Sequence, residues 1–285
     1  MDGSSAAAAV GRMTRWIQAR SKRRPVGLTR MSRVLGHWLP DYSGEITLED
    51  GLRLHVDSRQ PTERELLFVG DRHRGLTYLL QQHTTPGAYC LDLGANIGFY
   101  ALKLAKWAGP NGHVAAFEAN PVLVKRIEQN CALSNLSNVA IVPQAVLAQP
   151  ANTIRFYISS NPELSSVSYH ASVVQEVEVE TTSIDAYIAR NNWQRLDVIK
   201  SDIEGYDCAA LLGGRKAIAR WRPFIAFEYS YDTDPETAGA VFDMLAENGY
   251  TLRTLVLKTG SLTTFDWQQG TGSVNVICFP PGRFR

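Results

Sequence analysis

Cysteine is scarce in this sequence, and its few cysteines form no pattern typical of a site. The four cysteines among 285 residues are widely spaced, no two form a Cys-x-x-Cys pair, and no set of histidines accompanies them. This spacing argues against a zinc site and against a disulfide framework. A reducing compartment is the simplest expectation.

Long apolar runs are also missing. No segment approaches the ~20 apolar residues that a membrane-spanning helix needs, and residues 1–10 lack the charged-then-apolar order of a secretory signal. We therefore expect a cytoplasmic protein. With 45% hydrophobic and 20% charged residues, the composition is that of an ordinary globular protein. The length allows one elaborated domain or one domain with an extra lobe.

Net charge is small, at +1, but it is unevenly distributed. Residues 1–40 hold eight Arg or Lys against a single acid, Asp2, so this basic arm carries +7 and the remainder of the chain −6. A basic arm with interleaved apolar residues can lie on an anionic membrane or contact nucleic acid. Because Pro25, Gly27 and Gly36 interrupt any long amphipathic helix, we favour a solvated, partly disordered leader. Membrane-surface contact through residues 12–39 is the alternative.

Residues 41–84 are predicted to form an N-terminal extension. Residues 44–56 alternate apolar and polar side chains around Asp50-Gly51, which predicts a β-hairpin. Residues 62–82 carry apolar side chains at helical spacing, interrupted near Gly70 and Gly75.

From residue 85 to residue 285, strand and helix patterns alternate. Strands are predicted at 88–93, 113–117, 139–142, 196–201, 224–229, 250–257 and 273–279, and helices at 97–107, 121–133, 183–191, 206–219 and 235–248. A less regular stretch holds strand-like residues 153–158 and 177–181 on either side of a Ser-rich loop, 159–172. Near-continuous apolar strands alternating with helices predict an α/β domain whose mostly parallel sheet is covered on both faces.

The most informative segment lies where the first buried strand turns into a helix, and reads Asp92-Leu-Gly94-Ala95-Asn96-Ile-Gly98. Ligands of open α/β sheets bind beyond the carboxyl ends of the strands. Gly94 would let the backbone approach a ligand, and Gly98 would permit close packing where the helix starts. Asp92 can order this loop or bind a cofactor ammonium through water, and Glu118, ending the next strand, can accept both ribose hydroxyls. The alternative is a generic strand-to-helix turn with a structural Asp.

The same segment indicates which cofactor to expect. A dinucleotide site normally shows Gly-x-Gly-x-x-Gly, which accommodates a pyrophosphate at the helix N-terminus. Here position 96 is Asn, and Asp92 adds negative charge near the place of a diphosphate. S-adenosylmethionine (SAM) has no phosphate and carries a cation at its amino-acid end. The acidic loop therefore predicts SAM rather than NAD.

Three segments give the sequence a family resemblance: residues 92–100, residues 109–121 and residues 198–207. The last reads Val-Ile-Lys-Ser-Asp-Ile-Glu-Gly-Tyr-Asp and matches a signature of the form Ile-Lys-x-Asp-Val-Glu-Gly-x-Glu. On these motifs the chain resembles the FkbM family of SAM-dependent methyltransferases. Two residues depart from the signature, because Ser201 stands where hydrophobic residues are common and Asp207 where Glu is usual.

The resemblance implies a Rossmann-like class I methyltransferase with a seven-stranded, mostly parallel sheet, helices on both faces and an antiparallel last strand. Residues 273–279 are the candidate for that strand. The resemblance also implies O-methylation of a hydroxyl on a sugar, polyketide or similar secondary metabolite. Carried onto this chain, it places Gly94 and Asn96 at the methionine part of SAM, Glu118 at the ribose, and Gln144 with Ala145 at the adenine. Ala95, Ala119 and Asp202 complete the predicted cofactor-binding set.

An alcohol acceptor must lose its proton during methyl transfer, so a base is expected. Asp202 and Glu204 follow the strand at 196–201, at the cofactor edge of the sheet. They can hold one raised pKa or together bind a divalent cation. In the structural alternative, Asp202 caps the next helix and Glu204 pairs with Lys200 or a backbone amide. Glu228, ending the strand at 224–229, and His170, in the Ser-rich loop, are further catalytic candidates.

Two other functions compete with this interpretation. Nucleic-acid amino-methyltransferases place Asn/Asp-Pro-Pro-aromatic where this chain reads Ser-Asp-Ile-Glu, and no cysteine follows a proline as in cytosine C5 enzymes. With a charge of −6 beyond the arm, no nucleic-acid partner is expected. A catalytically silent SAM-binding scaffold is the second alternative. The expected partner is a small-molecule hydroxyl acceptor, and no oligomeric state is indicated.

Overall fold

The computed structural model describes residues 8–13, 40–159 and 173–282. The basic arm predicted for residues 1–40 therefore lies mostly outside the described residues, as do residues 14–39 of the membrane alternative and His170. Residues 8–13 are helical, and Val10 packs against the main core.

The extension contains the predicted hairpin and two helices. Strands β1 (Ser43–Thr47) and β2 (Arg53–Asp57) pair antiparallel. The helical spacing over 62–82 corresponds to two helices, α1 (Pro61–Val69) and α2 (Arg74–His83), and the break between them begins at Gly70, one of the two expected interruptions. Gly70 ends α1 with a φ of +70°, a conformation that glycine adopts without the strain a side chain would cause.

Strands and helices mostly alternate in the rest of the chain. In chain order they are β3 (Tyr89–Leu93), α3 (Phe99–Ala108), β4 (His113–Phe117), α4 (Pro121–Leu133), β5 (Val139–Val142), β6 (Gln144–Val146), β7 (Thr153–Ser159), β8 (Val173–Thr182), α5 (Ile184–Arg190), β9 (Val198–Ser201), α6 (Asp207–Leu212), α7 (Arg215–Trp221), β10 (Phe224–Ser230), α8 (Pro235–Glu247), β11 (Thr251–Val256), β12 (Ser261–Thr264) and β13 (Ser273–Phe279).

The main sheet has the strand order β12-β11-β13-β10-β9-β3-β4-β5. Neighbours from β10 to β5 pair in parallel, whereas β13 runs antiparallel between β10 and β11. The predicted Rossmann-like α/β fold is confirmed, as is the antiparallel strand at 273–279. The described sheet has eight strands rather than the expected seven, because the short strand β12 pairs with β11 at the edge.

Two other expectations differ from the structure. The helix predicted over 206–219 is divided into α6 and α7 at Gly213-Gly214, where a Cβ on Gly213 would overlap the Leu147 carbonyl. The irregular stretch forms a separate three-stranded sheet in the order β6-β8-β7. Pro143 lies between β5 and β6, and a proline cannot donate a hydrogen bond to a sheet ladder.

Two large apolar clusters form the core. Consecutive strand residues alternate between them, so that Cys90 belongs to one cluster and Leu91 to the other. The first cluster also contains Leu54 and Leu67 of the extension, and both side chains are fully buried. The extension and the main sheet therefore share one core. Within the described part of the chain, no helix has the length and apolar character needed to cross a membrane.

Candidate active site

A cavity of about 570 Å³ opens at the carboxyl ends of the parallel strands, within the usual size range of ligand pockets. It lies where the sequence predicts the cofactor and the acceptor. Ten of the predicted site residues line it: Gly94, Ala95, Asn96, Glu118, Ala119, Gln144, Ala145, Asp202, Glu204 and Glu228. Two others do not line it: Asp92 is fully buried within β3, and Gly98 is the residue before α3.

The β3–α3 loop turns through three residues with positive φ: Gly94 (+74°), Asn96 (+52°) and Gly98 (+88°). A Cβ on Gly94 would overlap the carbonyl oxygen of Asp202. Gly94 thus permits close contact between the β3–α3 loop and the loop after β9. It also lines the cavity, where its contact with a ligand stays a prediction. A Cβ on Gly98 would lie 2.9 Å from Leu102 Cδ1, which confirms the close packing expected there.

Glu118 connects the loops that follow β3 and β4. Its Oε2 accepts a hydrogen bond from the Asn96 backbone N–H at 2.8 Å, and its Oε1 accepts one from the Asn120 backbone N–H at 2.9 Å. Burial raises the pKa of Glu118 to about 7, although both hydrogen bonds favour the charged form. Each carboxylate oxygen can accept more than one hydrogen bond, so the predicted contact with ribose hydroxyls stays chemically open.

The opposite end of the cofactor region is apolar. Ala145 packs in a small cluster with Phe156, Ile158 and Val179, and Ala119 lies against it. Phe156 is 6% exposed and lines the cavity beside Gln144, whose side-chain amide donates to Glu180 at 2.9 Å. Sequence reasoning missed Phe156, because nothing local shows that β7 folds over this end of the main sheet.

Lys200 is the buried cation at the centre of the site. Its Nζ lies 3.2 Å from Asp92 Oδ1 and 3.9 Å from Asp202 Oδ2. It also donates to the Gly94 carbonyl oxygen at 3.2 Å. Burial lowers the pKa of Lys200, but attraction by Asp92 and Asp202 outweighs it and gives a net increase. Lys200 was considered in the sequence only as a partner of Glu204. In the structure, its ammonium lies between the carboxylates of Asp92, in β3, and Asp202, which follows β9.

Three carboxylates lie at the acceptor side. Asp202 is 52% exposed and caps no helix, since α6 begins only at Asp207 with Tyr206 before it. Glu204 has a φ of +53° in the turn that follows β9. Glu228 is half-buried, and burial together with the charge of Asp202 raises its pKa, against the attraction of Lys200.

No group of three or more His, Cys, Asp or Glu side chains suited to a metal ion occurs among residues 8–13, 40–159 and 173–282. Asp202 and Glu204 thus form no such group in that part of the chain.

Ser201 and Asp207, the two departures from the family signature, contact each other. The Ser201 hydroxyl donates to Asp207 Oδ1 at 2.6 Å, and the Ile203 backbone N–H lies 3.3 Å from the same oxygen. Asp207 is 1% exposed, and burial raises its pKa to about 7. Together these residues order the loop that carries Asp202 and Glu204. The sequence shows them only as separate departures.

The extension supplies one wall of the cavity, through the segment between α1 and α2. Arg72 Nε donates to His73 Nε2 at 2.9 Å, and Arg72 Nη1 lies 2.7 Å from Glu65 Oε2. Burial and the nearby charge of Arg72 lower the pKa of His73. Asp71 completes this polar wall. Sequence reasoning did not identify these three residues, which lie between Gly70 and Gly75, where the helical spacing is interrupted.

Comparison with known proteins shows which family this chain matches. Residues 92–252, more than half of the chain, match the methyltransferase FkbM domain. The AMB antimetabolite synthetase AmbE of Pseudomonas aeruginosa is 25% identical over 206 residues, a match that covers 58% of this chain and 10% of the synthetase. The chain therefore spans about a tenth of the length of that relative.

Solved structures also align with this chain. An FkbM methyltransferase from Methylobacillus flagellatus is 15% identical, with 76% of this chain and 52% of the other covered and a TM-score of 0.44. A Streptococcus mutans protein, solved in complex with S-adenosylhomocysteine (SAH), is 13% identical, with 73% and 97% covered and a TM-score of 0.45.

Proposed function

This chain belongs to the FkbM family of SAM-dependent methyltransferases, and from that premise we propose that it methylates a hydroxyl of a small molecule, such as a sugar or a polyketide-type secondary metabolite. One observation carries the proposal. A single cavity brings the β3–α3 loop and Glu118 together with Asp202 and Glu228. The cofactor-binding residues and the candidate bases therefore face one space.

The cavity lining fits SAM along its length. Glu118 is an acceptor for ribose hydroxyls, and the apolar surface of Ala119, Ala145 and Phe156 suits the adenine ring. When bound, SAM supplies the electrophilic methyl group. The protein has to align the acceptor oxygen with that group, exclude water and remove the hydroxyl proton.

The carboxylates are suited to that proton transfer. Asp202 is accessible from the cavity, and Glu228 has a pKa raised toward the range in which a general base works well near neutrality. Asp71, His73, Ser273 and Asn275 add hydrogen-bonding groups to the same lining. Such a wall favours a polar acceptor that carries hydroxyl groups. The similarity to a segment of an antimetabolite synthetase is consistent with an acceptor from secondary metabolism.

The cofactor part of the proposal is tested by calorimetric titration with SAM, SAH and NAD, with and without magnesium. Binding of SAM and SAH with no response to NAD is expected. Methyl transfer from radiolabelled SAM is then screened over sugar and polyketide alcohols. SAH binding without transfer to any alcohol would favour the scaffold alternative, and absence of SAM and SAH binding would contradict the proposal.

Asp202→Asn tests the proposed base. The amide cannot take up the acceptor proton, so turnover should fall by about 10²–10⁴-fold, while SAM affinity in calorimetry changes little. Asp243→Asn is the matched control, since Asp243 is exposed on α8, away from the cavity lining. Unchanged turnover in Asp202→Asn would exclude Asp202 as the base and leave Glu204, Glu228 and His170 as candidates.

A further inference from the structure

Lys200 occupies an unusual position for a lysine. It lies within β9, with Asp92 of β3 as its register partner on one side and Ala226 of β10 on the other. Only 4% of its surface is exposed. A buried charge is costly unless it is paired, so the contacts of this ammonium determine what it does.

Those contacts reach both loops of the site. Lys200 Nζ meets the Gly94 carbonyl in the β3–α3 loop and the Asp202 carboxylate in the loop after β9. Its third polar contact, Asp92, is fully buried, and neither carboxylate oxygen of Asp92 has a well-aligned hydrogen bond among the described residues. The Tyr100 ring covers the ammonium, with its centroid 5.2 Å away.

We propose that Lys200 is a positioning residue that holds the cofactor loop and Asp202 at a fixed separation through its ammonium. Asp92, at 3.2 Å, balances the charge of Lys200, the Gly94 carbonyl accepts a hydrogen bond from the ammonium, and Asp202 is attracted to it across 3.9 Å. The inference rests on the proposed function for the role of Asp202, but the effect of Lys200 on the two loops does not depend on the identity of the acceptor.

A purely structural role is the competing explanation. The strand ends are already joined by the backbone, because the Asp202 N–H donates to the Leu93 carbonyl at 3.0 Å. In that case Lys200 would serve only to neutralise Asp92. The two explanations differ in what happens when both charges of the buried pair are removed together.

The test uses the full chain with Lys200→Met and the double variant Asp92→Asn/Lys200→Met. The single variant leaves Asp92 unpaired and is expected to lower the melting temperature. The double variant removes both charges and should recover much of that loss. If Lys200 positions the loops, the double variant still binds SAH about tenfold more weakly than the wild type, as expected for the loss of a hydrogen bond from a charged donor.

Hydrogen exchange provides a second readout that needs no ligand. Amides in 94–98 and 202–206 should exchange faster in the double variant than in the wild type, while amides in α8 stay unchanged. Asp50→Asn/Lys103→Met is the matched control, because Lys103 is also buried and pairs with Asp50 at 2.7 Å outside the cavity lining. This control should leave SAH affinity and exchange in both loops as in the wild type.

Wild-type SAH affinity and wild-type exchange in a stable double variant would overturn the inference and leave Lys200 a neutralising role. If the wild-type protein itself failed to bind SAH, the proposed function would fail. Hydrogen exchange in the ligand-free protein would still decide whether Lys200 orders the two loops.

Discussion

At the scale of single residues, the hydrogen bonds of Glu118 and its burial shift the pKa of its carboxyl group in opposite directions. Its carboxylate accepts hydrogen bonds from the backbone of two loops, which favours the charged form. Burial favours the neutral form and raises the pKa to about 7. The protonation state of Glu118 therefore changes close to neutral pH, where a change affects both ligand binding and stability.

If Glu118 binds the ribose as proposed, we expect SAH affinity to rise with pH through about 7, because the ionised carboxylate offers more acceptor sites to the ribose hydroxyls than the protonated acid. Calorimetric titration between pH 5.5 and 8.5 measures this trend. Glu118→Gln should bind more weakly and lose this pH dependence. A wild-type affinity that did not change with pH would contradict the assignment of Glu118 to the ribose.

The carboxyl group of Glu118 affects stability in the opposite direction: the free energy of unfolding should fall as pH rises, whereas SAH affinity should increase. Since the pKa of Glu118 is raised from 4.5 to about 7 on folding, its contribution to stability is fully present below pH 4.5. That contribution is lost as pH rises through about 7. In urea unfolding, the stability difference between the wild type and Glu118→Gln should therefore shift in favour of the variant as pH increases across this interval.

At the scale of elements, the loop between β9 and α6 is ordered from within. Ser201 is the last residue of β9 and Asp207 the first of α6, and their 2.6 Å hydrogen bond closes the loop that holds Asp202. Two departures from the family pattern thus form one contact. Substitutions at Ser201 and Asp207 are therefore expected to affect stability together rather than independently.

We expect Asp207→Glu to destabilise the protein by about 1–3 kcal/mol, because an added methylene has little room at a buried position. Ser201→Val should cost a similar amount by removing a donor to Asp207. The double variant restores the residue types usual in the family and should cost less than the sum, with a coupling above about 0.5 kcal/mol. Asp243→Glu, exposed on α8, is the control. Additive free energies of unfolding would refute the coupling.

At the scale of the whole molecule, the extension is part of the core and part of the site. Leu54, Val56, Leu67 and Leu80 are fully buried in the cluster that also contains Leu104 of α3. Arg126 of α4 adds an ion pair with Glu63 of α1 at 2.8 Å. The predicted boundary near residue 85 therefore marks a change in sequence pattern only, because the hydrophobic core continues from the extension into the main sheet.

A chain that begins at residue 85 should not unfold cooperatively. Each of the four removed side chains contributes about 1.5–3 kcal/mol of burial, which together is comparable to the whole stability of a typical domain. Circular dichroism during heating checks this expectation. A chain that begins at residue 40 retains the extension and is the control, for which a cooperative transition is expected. A cooperative transition in the shorter chain would show that the main sheet is stable by itself.

The sequence by itself determined most of the elements of this protein and the sheet edge at which a cofactor is predicted to bind. Strand and helix periodicity is local, and so are the turn at Asp50-Gly51 and the glycines of the β3–α3 loop. The start of α4 is local too, because the Asn120 side chain accepts a hydrogen bond from the Val122 backbone N–H. Local pattern also predicted Gly94 and Glu118 as cofactor residues, and the family resemblance added Asn96.

Tertiary structure decided which of these residues meet. Parallel pairing brings Lys200 of β9 beside Asp92 of β3, and packing of the strand ends presses Gly94 against the Asp202 carbonyl. Folding also brings Phe156 and the Asp71–His73 segment into the cavity wall. These contacts join residues far apart in the chain. They depend on strand order and loop path, which no local pattern of side chains encodes.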